Sequence, residues 1–178
     1  MLARRKDQQG YEQQPADLYS ALMARVRAPH FYAEMGVPDS FDGRFDLLLL
    51  HLFLVMERLL DEPGGSYAAF NQALFDVVFA DMDQTLRERG IGDMGVPKHM
   101  RRMMTAFNGR MHAYHEAFRA GDDATILDAL RRNLYGTRHD IALHDLQSML
   151  DYAKTVRALL QDMPPVSVIS GDFLTAFY

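Results

Sequence analysis

The stretch RFDLLLLHLFLVMERLL, residues 44–60, holds a single polar residue, His51, between Asp46 and Glu57. Such a run can be a membrane span, a buried core helix, or a ligand site built around the histidine. Residues 47–56 supply only about half of the roughly 20 apolar residues that a spanning helix needs, and charges flank them on both sides. The run is therefore read as a core helix. Being apolar all round, it must be covered on several sides, which places it at the centre of a bundle. A histidine in that setting is more often a buried side chain with one or two hydrogen-bond partners than a haem or metal ligand.

Outward from this run the apolar spacing is helical almost everywhere, and no alternating pattern of useful length predicts a strand. A first helix is expected after Pro15, with Leu18, Leu22 and Val26 on one stripe, stopping before Pro29. HFYAEMG reads as a short aromatic turn ended by Gly36, and VPDSFDG supplies turn and cap residues to the central run. Beyond PGG, Ser66 is a natural N-cap for a helix carrying Tyr67, Phe70, Leu74, Val78, Met82 and Leu86 on one face and closing at Gly90.

Pro97 is placed to open the next helix, with Met100, Met103, Phe107, Met111, Tyr114 and Phe118 as its stripe. A shorter helix follows from DDATILDALRRN, acidic at its start and basic near its end, as the helix dipole prefers. A last long helix is expected from about His139 to Asp162, stopped by Met163-Pro164-Pro165. The expected architecture is all-α: a single-domain bundle of about six helices around a central apolar helix. Residues 1–15 are expected as a polar arm, 16–165 as the helical domain, and 166–178 as an apolar tail docked on the body or on a partner.

At 178 residues with a formal charge of −5, the chain is long enough for a sizeable core, and its bulk charge does not suit wrapping DNA. It has no cysteine, which removes disulfides, thiolate ligands and thiol nucleophiles and fits a reducing cytoplasm. The basic cluster Arg4, Arg5, Lys6 is followed by no apolar stretch, so neither a secretory signal nor a transit peptide is expected.

Four constellations are candidates for chemistry. GIGDMG, residues 90–95, matches G-x-G-x-x-G literally, yet it follows a helix, whereas a dinucleotide site needs a preceding strand. His139-Asp140 and His144-Asp145, with His112 and His115 sharing a helix face, suggest a metal-dependent phosphohydrolase as the alternative reading; neither H-E-x-x-H nor E-x-x-H accompanies them. Asp81 and Asp83 in DMD lie two apart and so point to different sides of a helix, which suits a solvated acidic face better than an acid/base pair. PKHMRRMMTAFNGRM, residues 97–111, places Lys98, Arg101 and Arg102 beside a methionine-rich stripe. That stripe is either core packing or a surface that accepts varied apolar partners.

The order HFYAEMGVPDSFDGRFDLLLLHLFLVMERL, then ALFDVVFADMDQTLRERGIGDMGVPKHMRRMMTAFNGR, resembles the ubiquinol–cytochrome c chaperone family, over roughly residues 18–135. The resemblance implies a non-enzymatic α-helical assembly factor, without cofactor, that holds newly made cytochrome b during biogenesis of the respiratory cytochrome bc complex. It further implies a small partner protein or the ribosome as an associate, and a cytoplasmic location at the inner face of the inner membrane. Carried over residue by residue, it points to Arg44, Asp46, His51 and Pro97 as structural positions. Asp81, Asp83, Asp93, Lys98 and Arg101, joined by Arg102 and Met103 of the basic methionine-rich helix, are the candidate client-binding positions.

Overall fold

The computed structural model describes residues 2–138 and 140–177, with side chains described for 13–138 and 140–175. Among the described residues there are eight α-helices and no strand: α1 Leu2–Arg25, α2 His30–Ala33, α3 Phe41–Leu60, α4 Ala68–Glu88, α5 Val96–Ala120, α6 Asp123–Asn133, α7 Leu143–Asp162 and α8 Pro165–Ser170. Six of these are the expected long helices; α2 and α8 are short connecting pieces, and 3₁₀ turns lie at Pro63–Gly65 and Asp172–Phe177. No helix among the described residues is long and apolar enough to cross a membrane.

The central helix is α3. Ser40 caps it by accepting a hydrogen bond from the Gly43 amide (3.1 Å), satisfying one of the free N–H groups of its first turn. From Phe45 to Val55 every side chain is buried, because α3 is covered by α1, α4, α5, α7 and α8. Each large apolar side chain taken from water there contributes roughly 1.5–3 kcal/mol. The six leucines at positions 47, 48, 49, 50, 52 and 54 are almost wholly inaccessible, so this one helix organises the core.

Three expectations about boundaries are corrected. Helix α1 begins at Leu2 and runs through Pro15, whereas it was expected to start after that residue. A proline removes one ladder hydrogen bond, and the residues before it, rich in Gln and Arg, are favourable helix formers that continue the turn. Ser66 does not cap α4: its hydroxyl donates to the Pro63 carbonyl (3.0 Å) within the 3₁₀ turn, and α4 starts two residues later. Helix α7 starts at Leu143 rather than near position 139. Ala142 just before it is extended at φ −69°, ψ 142°, and Arg138 donates from its side chain to the Gly36 carbonyl (2.9 Å).

The tail packs on its own chain. Val168, Ile169, Phe173 and Leu174 are buried, and α8 with the following 3₁₀ turn lies against α1, α3 and α7.

Candidate functional site

His51 sits in the middle of α3 with both ring nitrogens occupied. Nδ1 is 2.8 Å from the Leu47 carbonyl oxygen, which can only accept, so Nδ1 carries the proton. Nε2 then accepts from the Tyr152 hydroxyl at 2.7 Å. Phe31 packs edge-on against both rings, and the buried Arg25 guanidinium lies 5.1 Å from the Phe31 ring centre and 5.7 Å from that of Tyr152. Burial pushes the imidazole down to about 4, and neighbouring Arg25 adds to this, against the hydrogen bond to Leu47, which raises it. A neutral ring with no lone pair to spare is a structural element of the core, as read from the sequence. It has no free nitrogen with which to ligate haem.

Of the other candidate positions, Asp46, Arg102 and Met103 come together at the end of the bundle where α4 turns into α5. There the start of α3, the end of α4 and the first half of α5 enclose a cleft of about 420 Å³. Its apolar walls include Phe41, Phe45, Leu86, Ile91 and Met103, and its polar groups include Asp46, Arg89, His99, Arg102 and Arg110. The floor is held by an ion pair in which Arg110 Nη2 lies 2.8 Å from Asp46 Oδ1, while Arg110 Nε donates to the Asn133 carbonyl (3.2 Å) and so ties α3, α5 and α6 together. Burial raises the Asp46 carboxyl to about 6, even though Arg110 pulls it down.

The acidic candidates are engaged inside the chain. Asp81 accepts from the Tyr19 hydroxyl (2.6 Å), joining α4 to α1, and burial followed by this carboxylate drives the Tyr19 phenol upward. Asp83 and Asp93 both bind Arg87, at 2.7 and 2.5 Å, so one guanidinium clamps the end of α4 to the turn that follows. Arg44 pairs with Asp39 (2.6 Å) at the surface. Pro97 is the second residue of α5 rather than its first.

The basic candidates divide. Arg102 and Met103 face the cleft, whereas Lys98 and Arg101 are exposed and do not line it. Met100, Met103 and Met111 are partly buried against the core and Phe107 fully so, while Met104 stays exposed. The methionines of the stripe thus pack against the core, while Met104 beside them is exposed.

Sequence reasoning missed Tyr19, Arg89 and Arg110. Arg110 had a readable signal, because with Met103, Phe107 and Tyr114 it continues the three- and four-residue spacing of an apolar face, where a cation requires a buried acid. Arg89 had none. It lies just past the end of α4, and its placement 4.5 Å over the Phe41 ring depends on how the α4–α5 corner folds back on α3.

The histidine pairs do not converge. His144 is exposed beside Asp145 (3.5 Å), Asp140 is exposed near Arg138, and His115 reaches Glu57 at 3.4 Å on another face. His139 lies outside the described residues. Among the described residues no group of three or more His, Cys, Asp or Glu side chains could hold a metal ion. GIGDMG joins two helices, with Gly90 at φ +80° ending the first.

By fold and cleft this is an all-α bundle built on a buried apolar helix, with a mixed cationic and apolar cleft at one end. The chain belongs to the Ubiquinol-cytochrome C chaperone family, whose model matches residues 33–177. Protein CBP3, mitochondrial, of Saccharomyces cerevisiae is 28% identical over 148 residues, 82% of this chain and 44% of the yeast protein. The human ubiquinol-cytochrome c reductase complex assembly factor 1 is 23% identical over 146 residues, 82% of this chain and 48% of the human protein. This chain thus spans about half the length of those two relatives. The crystal structure of the Cbp3 homolog from Brucella abortus superposes with a TM-score of 0.82 at 33% identity, covering 97% of this chain and 94% of that one.

Proposed function

We propose that this protein is a non-enzymatic assembly chaperone of ubiquinol–cytochrome c reductase that holds newly made cytochrome b. The observation that carries this reading is the family match over residues 33–177, with relatives named as assembly factors of that complex. The client would be held at the α4–α5 corner, by Lys98, Arg101, Arg102 and Met103, with Asp81, Asp83 and Asp93 setting the shape and charge of its border. A surface that combines adaptable thioethers with fixed charges can take varied apolar segments while rejecting indiscriminate contacts. A small partner protein or the ribosome, and a position on the cytoplasmic side of the inner membrane, belong to the same reading through the family.

The test is twofold. Deleting the gene should lower assembled bc complex without lowering the cytochrome b transcript, and a photo-crosslinker at Lys98 or Met103 should capture nascent cytochrome b. Normal complex levels after deletion would overturn the reading. Capture from a crosslinker on the outer face of α7, but not from α5, would overturn the assigned surface.

A further inference from the structure

The cleft at the α4–α5 corner contains more cationic capacity than the protein itself uses. Of its three arginines, Arg110 is shared between Asp46 and the Asn133 carbonyl. The guanidinium groups of Arg89 and Arg102 make no ion pair or hydrogen bond with any described residue. The Arg89 guanidinium carbon lies 4.5 Å from the Phe41 ring centre, a cation–π contact that uses none of its N–H donors in a hydrogen bond. His99 adds an imidazole and Asp42 a single carboxylate besides the Asp46 that Arg110 engages, so two guanidinium groups still outnumber the one remaining acid; Phe45, Leu86, Ile91, Met103 and Ala106 form an apolar wall in the same 420 Å³ space.

The local sequence works against itself unless an anion arrives. From position 94 to position 115 there is no acidic residue, in a chain that has 24 of them. Lys98, Arg101 and Arg102 fall in the opening turns of α5, which has no acid in its first turn and no side-chain cap. Cations at that end oppose the helix dipole, which favours negative charge there. On the turn above, Met94 is 95% exposed, an apolar side chain beside the cationic face.

We infer that this cleft binds the phosphate head of an anionic phospholipid, with Arg89 and Arg102 as the head-group ligands and the Phe45–Met103 wall receiving the first carbons of the chain. Guanidinium forks match phosphate oxygens in pairs, and the ammonium of Lys98 and the guanidinium of Arg101 add attraction toward an anionic membrane surface. Because the protein as a whole is anionic, general adsorption to such a surface is disfavoured and the contact is confined to this corner. The inference concerns a lipid, so it stands or falls apart from the identity of any protein client.

The experiment is calorimetric titration of the full chain with soluble dihexanoyl phosphatidylglycerol, with dihexanoyl phosphatidylcholine, glycerol phosphate and decanoate as comparisons. The phosphatidylglycerol should bind at least tenfold more tightly than any of the three. Arg89→Gln with Arg102→Gln should weaken that binding at least tenfold, while Lys98→Gln with Arg101→Gln, which removes the same charge outside the cleft, should change it less than threefold. Arg102→Gln alone, at an exposed residue without partners, keeps the test valid if the double variant fails to fold. Equal losses in the two double variants would reduce the effect to diffuse charge. Equal binding of glycerol phosphate would remove the lipid, and tighter binding of decanoate would remove the phosphate; each of these results overturns the inference.

Discussion

The imidazole Nε2 of His51 and the hydroxyl of Tyr152 meet at 2.7 Å although the residues are 101 positions apart, and this bond joins the central helix α3 to α7. The hydroxyl is the donor, because Nδ1 holds its own proton against the Leu47 carbonyl. Tyr152→Phe would leave Nε2 buried and unsatisfied, which should destabilise the fold by about 1–3 kcal/mol in denaturant titration. His51→Leu with Tyr152→Phe should lose less than the two single changes together, with a coupling of at least about 0.5 kcal/mol, as expected for residues in direct contact. Strict additivity would mean that the pair does not interact.

Acid stability should show two opposed proton effects. His51 is held at about 4, below its ordinary value of 6.5, so on acidification through that window the unfolded chain gains a proton that the folded one refuses, and stability falls. Asp46 is held at about 6, above its ordinary 3.8, so over that range the folded protein keeps a proton that the unfolded chain releases, and stability rises as pH falls. Between pH 6 and 4 the two nearly cancel. Asp46→Asn should therefore make the loss of stability on acidification steeper by up to about 1.4 kcal/mol per pH unit, and His51→Leu should make it shallower by a similar amount. Thermal melts of the three proteins across pH 4–6.5 check this, and parallel curves would refute it.

Gly43 sits inside the first turn of α3, where propensity alone favours alanine by about 1 kcal/mol. The Pro38 carbonyl oxygen crosses directly over it, however, and an added Cβ would fall well inside contact distance of that oxygen. The obstructing atom belongs to the backbone and has no rotamer through which to escape, so the clash should prevail. Gly43→Ala is expected to lower stability by about 1–3 kcal/mol, the usual range for overpacking, measured by denaturant melts. A more stable variant would show that the 38–40 turn yields freely.

How much of this was legible follows from what periodicity encodes. The three- and four-residue spacing identifies which face of a helix is buried, so α3 as the hub and the stripes of α1, α4 and α5 could be read directly. It does not encode which residue on another helix completes a polar group. His51 was recognisable as needing a partner, but Tyr152 lies on the apolar face of α7 and reads simply as core. Asp81 likewise gave no hint of Tyr19, because the bond depends on how α1 lies along α4. The cleft escaped notice for the same reason: Phe41, Arg89 and Arg110 come from three separate stretches, and only the corner between α4 and α5 brings them together.

Lys98 offers a test in which stability and binding move in opposite directions. It occupies the first turn of α5, is exposed, and has no carboxylate partner among the described residues, so it acts on the fold chiefly through the helix dipole. Lys98→Glu should stabilise the isolated protein by about 0.3–1 kcal/mol at low ionic strength, an effect reduced by salt. A residue retained only for folding would show no penalty for that gain. If Lys98 instead faces an anionic membrane surface or a client, the more stable variant should crosslink less to cytochrome b and support less assembled bc complex in a strain lacking the native gene. Raised stability with unchanged assembly would exclude Lys98 from the working surface, and reduced assembly with reduced stability would place the fault in the fold.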